Sequence, residues 1–180
     1  MSILLGVAFA VLTCGTGYAG LRALGLSKGL QGLALAPSTG LALLAIGSTW
    51  MARAGVLTPA GGWLVLASGL GGLVLAARQQ RASMLSLAAT PGEIRRALAL
   101  LVAAVVLPIV VLGVGLYGLQ APLSTHDGAW HVETIDALRS GAAWSGWYPP
   151  GLHASLAAFL TLVPWIDSAA GTAGAALGLA

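Results

Sequence analysis

Residues 2–21 read SILLGVAFAVLTCGTGYAGL, twenty positions without a single charge. A run of that length suits a membrane crossing, because about 20 residues rising 1.5 Å each cover the roughly 30 Å of bilayer hydrocarbon. Lipid offers no hydrogen bonds to an open backbone, so the expected conformation is a helix that satisfies its own amides. Working outward, segments 30–51, 55–77 and 97–119 repeat the pattern, each uncharged. A fifth apolar segment, 152–165, is shorter and carries His153 at its mouth. It is expected to span by tilting or by extending through the turn at 148–151.

The composition agrees. Of the 180 residues, 58% are hydrophobic and 7% charged, against roughly 25% charged in ordinary globular chains. So few charges cannot cover a soluble surface. The net charge of +3 comes from basic residues scattered in ones and twos, with no stripe for a polyanion, so nucleic acid is excluded as a partner and the lipid bilayer is the expected one. Cys14 is the only cysteine, which excludes an intrachain disulfide and a thiolate metal site. No Lys or Arg precedes Arg22, so the first run lacks a signal peptide's basic start and reads as a retained helix.

The expected fold class is therefore all-α, a polytopic transmembrane bundle of about five to six helices with a short exterior interfacial helix. Residues 1–119 form a four-helix transmembrane region, 120–151 an exterior loop with the short helix, and 152–180 a fifth helix and the start of a sixth. Residues 168–180 are apolar but too short to span, which predicts an N-terminal piece of a longer protein. Orientation follows from the bias of basic residues toward the cytoplasm. Arg22, Lys28, Arg78, Arg81, Arg95 and Arg96 fall in two loops assigned inside, leaving Arg53 and Arg139 outside. The N-terminus and the 120–151 loop then face the exterior of the cell membrane. Small residues four apart, Ser68/Gly72 and Gly174/Gly178, suit close helix packing, and Pro108 is expected to kink the fourth span.

The chemistry-bearing side chains gather between 119 and 153: His126, Asp127, His131, Glu133, Asp136, Arg139 and His153. Ser124 reads as an N-cap with Asp127 as its capping-box partner, and Gly141 as the helix stop. Trp130, Ile135, Leu138 and Ala142 form a rough apolar stripe. Asp127 and His131, four apart, share one face; Glu133 and Asp136 share another and are expected to be solvated, with Arg139 as a local partner. Trp144, Trp147 and Tyr148 suit a lipid–water interface. One reading is an acidic site, with Asp127 as base or cation ligand and His131 and His153 at a phosphate or metal. The other is a wet helix with Asp127 serving only as a cap. No zinc-protease, phosphate-loop or nucleotide fingerprint occurs.

The pattern Asp127-x-x-x-His131, then Gly141, then Tyr148-Pro149-Pro150-Gly151-Leu152-His153 resembles a group of uncharacterised, multi-spanning actinobacterial membrane proteins related to the GT-C glycosyltransferases. The resemblance covers about 45 residues. It implies transfer of a sugar from a polyprenyl-phosphate carrier in cell-envelope synthesis, with Asp127 and His131 catalytic and His153, Tyr148 and Arg139 contacting substrate. A divalent cation such as Mg²⁺ or Mn²⁺ would be held, if at all, by Asp127 and His131. The loop here follows the fourth span, whereas in typical GT-C enzymes it follows the first. The rival expectation is a non-enzymatic transporter, flippase or scaffold subunit; a transporter more often places ionisable residues inside its spans, and the four clear ones have none.

Overall fold

A computed structural model describes residues 2–26, 29–58, 60–84, 126–146 and 150–168. The fourth expected span, Pro108, Ser124, Tyr148 and the Gly174/Gly178 pair lie outside these. Within them the structure is all-helical: α1 (Ser2–Ala23), α2 (Gly29–Arg53), α3 (Ala60–Met84), α4 (His126–Arg139) and α5 (Gly151–Leu160). The first three are long and apolar enough to cross a membrane.

α1 is the centre of the bundle. It packs along both α2 and α3, which touch each other only sparsely. α1 and α3 run parallel, with Leu12 against Gly69, Gly15 against Gly72, and Arg22 donating to Gln79 Oε1 at 2.5 Å. The contact is backbone against backbone: a Cβ on Gly72 would strike the carbonyl of Gly15. One turn earlier, the hydroxyls of Ser68 and Thr16 lie 2.9 Å apart, so one donates to the other. The pair 68/72 is thus the seam between two spans. Such seams replace the hydrophobic effect, which cannot drive apolar helices together inside lipid.

α1, α2 and α4 end alike. Gly25, Gly55 and Gly141 take φ of 73°, 69° and 96°. The amide after each reaches back five residues, Leu26 to Leu21, Val56 to Met51 and Ala142 to Ala137. This left-handed cap satisfies carbonyls a helix end would otherwise orphan, and glycine alone enters it without strain.

α4 and α5 dock on one end of the bundle through a shared core that joins Leu5, Phe9, Leu44 and Val65 to Ile135, Leu138 and Phe159. The Thr58 hydroxyl donates to the Arg139 carbonyl at 3.0 Å, and the Trp144 amide donates to the Ala52 carbonyl at 3.0 Å. The C-terminal end of α4 therefore sits at the α2–α3 turn. Gly151 instead packs on Ala45, about 10 Å further inward along α2 at 1.5 Å per residue. α5 then climbs back toward the turn, where Ala158 meets Gly61 and Thr161 meets Gly62. At ten residues it is about 15 Å long, half a bilayer core, and turns follow it at 161–167. The expected spanning of 152–165 is not seen, since Pro164 and these turns close the segment near the level at which α3 begins.

The apolar stripe expected on α4 is only half correct. Ile135 and Leu138 are buried together with Thr134, while Trp130 stays exposed at 42%. Trp50, Trp63 and Trp165, exposed at 71%, 65% and 76%, all cluster at this same end. Amphipathic indoles favour the headgroup level of a bilayer, so they mark where the membrane surface crosses the bundle.

Candidate functional site

α4 and α5 run side by side in the same direction, so residues far apart in sequence meet at both ends of the pair. At the inner end His131 Nδ1 and His153 Nε2 lie 2.6 Å apart, within hydrogen-bond distance. The two rings are stacked, with centroids 4.9 Å apart and planes 26° from parallel. Trp130 presents its ring edge-on to both, at 5.2 and 5.5 Å. His131 is exposed and His153 buried.

Burial disfavours the charged form of His153 and, with the nearby charge of His131, pushes its pKa below the ordinary imidazole value. Burial therefore favours the neutral form of His153, and one of the two facing ring nitrogens donates to the other. The lowered pKa gives a sign for stability. The unfolded chain binds a proton near pH 6.5 that the folded chain resists. The contribution is therefore fully present above that pH and is lost as pH falls toward the lower folded value. Thermal unfolding in detergent at pH 7.5, 6.5 and 5.5 is expected to show a falling midpoint, with a shallower fall in His153→Gln.

His153 occupies the first turn of α5, which begins at Pro150 with no side-chain cap. The first-turn amides of such a helix are open donors, and together with the helix dipole they favour an anion. Asp127 is the second residue of α4, one turn before His131. Tyr148, the remaining sequence candidate for substrate contact, lies outside the described residues.

Arg139 is placed elsewhere, at the outer end of the helix pair. Its Nη1 donates to the Ile166 carbonyl at 2.6 Å and its Nη2 to the Val163 carbonyl at 3.1 Å. Ser168 links the clasp to Asp136, donating to Oδ1 at 2.7 Å. Through Ser168 the guanidinium is joined to Asp136, one of the local acids in its company. The guanidinium closes the turn after α5, where carbonyls outnumber helical donors. Arg139→Met is expected to cost about 2 kcal/mol, the loss of charge-assisted bonds to carbonyls left half-buried. Faster amide exchange across residues 161–168 would check it.

The contacting pair, His131 and His153, does not by itself suit Mg²⁺ or Mn²⁺, and the side chain of Asp127 lies outside the described residues. Such hard cations take oxygen ligands at about 2.0–2.2 Å, whereas the pair offers two nitrogens that already face each other at 2.6 Å. Among the described residues no group of three His, Cys, Asp or Glu side chains is placed to hold a metal ion. Two features of this end had no signature in the sequence: the role of Ser168 as a bridge, and Trp130 as a wall of the histidine pair. Both arise from the parallel docking of α4 and α5.

Long apolar spans, glycine seams and a helix pair docked at one end define an integral membrane protein of the polytopic helical class. More narrowly, a model of a family of unknown function, DUF6541, matches residues 10–170, and the chain belongs to that family. No curated protein and no solved structure matches it.

Proposed function

We propose that this end of the bundle carries a GT-C-like sugar-transfer site, which takes a sugar from a polyprenyl-phosphate carrier and passes it to a cell-envelope acceptor. The observation that supports it most is the meeting of His131 and His153, 22 positions apart, at the uncapped start of α5. The bias of basic residues toward the cytoplasm supports an exterior position for the site.

In the reaction the acceptor hydroxyl oxygen attacks the anomeric carbon. The new carbon–oxygen bond forms as the bond from that carbon to the carrier phosphate breaks, and the phosphate leaves with the bonding electrons. The hydroxyl proton passes to Asp127, the acid that the family resemblance puts at this position. His131, held by His153, and the first-turn amides of α5 donate hydrogen bonds to the leaving phosphate. The buried partner fixes the orientation of the exposed ring, where the phosphate arrives.

The test is sugar transfer from polyprenyl-phosphate-linked donors by membranes carrying the full-length protein, compared with Asp127→Asn and His131→Ala. Loss of transfer in both, with normal membrane abundance, supports the reading. Undiminished transfer in both would remove Asp127 and His131 from the site, and no transfer above membranes lacking the protein would return the chain to the non-enzymatic readings, a transporter, flippase or scaffold.

A further inference from the structure

A second feature of this end lies on the face of α2 that α5 leaves open. Ala45, Ile46, Thr49, Trp50 and Arg53, with Gly151 at the inner end, line a groove of about 360 Å³. Positions 45, 49 and 53 stack one turn apart, as do 46 and 50, so the groove follows the helix axis for about 12 Å. Its walls are apolar apart from two groups. The Thr49 hydroxyl is already bonded to the Ala45 carbonyl at 2.6 Å. Arg53 is exposed, and among the described residues it has no hydrogen-bond or ion-pair partner.

The surroundings identify the medium. Leu43, Ile46 and Trp50, exposed at 43%, 59% and 71%, belong to a helix long and apolar enough to cross a membrane, so this face looks into lipid. Arg53 ends α2 one turn beyond Trp50, at the level of the exposed tryptophans. No acid lines the groove, and none occurs in the turn 54–58. The groove is therefore apolar along its length and singly positive at its headgroup end, which matches a lipid whose phosphate is not offset by a cationic headgroup.

We propose that this groove is a binding site for one anionic phospholipid of the bilayer, its phosphate on Arg53, its glycerol region beside Trp50 and an acyl chain along Ile46 and Ala45. The guanidinium supplies paired donors to phosphate oxygens, and near the membrane surface a single such charge changes affinity for anionic lipid about fivefold. The proposal does not depend on the sugar-transfer reading.

The experiment is native mass spectrometry of the full-length protein in mild detergent, titrated with phosphatidylglycerol or phosphatidylcholine. The wild type is expected to retain one phosphatidylglycerol in preference to phosphatidylcholine. Arg53→Gln should weaken that retention about fivefold with an unchanged unfolding midpoint, since the side chain holds nothing else in place. Ile46→Trp, which fills the groove without altering charge, should weaken it as well. Equal retention of the two lipids, or undiminished retention by Arg53→Gln, overturns the assignment. So does displacement of phosphatidylglycerol by an equimolar polyprenyl phosphate, which would make the groove a carrier site instead.

Discussion

Leucine in place of Gly72 is expected to be the most damaging single change in the bundle. The Cβ position is already taken by the Gly15 carbonyl, so the side chain cannot be absorbed by a rotamer change; α1 and α3 must separate. Overpacking typically costs 1–3 kcal/mol, and this case lies at the upper end, about 3 kcal/mol, because the separation also breaks the Ser68–Thr16 contact one turn away. Gly71 is the matched control. A Cβ there meets nothing within 4 Å, and Gly71→Leu should unfold at nearly the wild-type temperature. The comparison separates a packing effect from any general effect of removing glycine, since neighbouring residues of one helix pay the same propensity term.

The second large effect is on activity. If the site transfers sugar as proposed, His131→Ala should lower turnover by about 10²–10³-fold, the usual cost of losing a donor aimed at developing negative charge. His153→Ala should lower it too, by letting the imidazole of His131 turn away from its buried partner. Glu133→Gln is expected to leave turnover within about twofold, because that exposed carboxylate has no part in the histidine contact. Initial rates at saturating donor distinguish these outcomes. A drop at Glu133 as deep as that at His131 would mean that general destabilisation of α4, and not chemistry, sets the rate.

The legibility of this molecule divides by the range of the interactions. The spans could be read because one property of each segment, its lack of charge, decides whether it can enter lipid; residues 2–21, 30–51 and 55–77 all correspond to long apolar helices. The seam at Ser68 and Gly72 was readable for a similar reason, since a spacing of four places both on one face. Gly141 as a helix stop followed from the backbone freedom of glycine alone.

The site was less legible. His131 and His153 each looked capable of chemistry, but their contact depends on α4 and α5 running parallel, with the chain doubling back between Gly141 and Gly151. No local pattern encodes that return. The resemblance implies a substrate contact for Arg139; the bonds it makes in the structure go to backbone carbonyls at 163 and 166, acceptors that every residue type carries and that leave no trace in the sequence. Ile135 and Leu138 were expected to face inward and do so; Trp130, of the same stripe, lies at the bundle surface beside the two imidazoles.

The brevity of α5 has a consequence for how the protein is made. A ten-residue helix cannot partition into the bilayer as an independent unit, and its start leaves amides open that lipid cannot satisfy. The long helices can each enter the membrane alone and associate afterwards. α5 must wait for α2 and α3 to supply the surface it lies on, and α4 must wait with it. The contact between His131 and His153 therefore forms only after the long helices that support α5 have gathered.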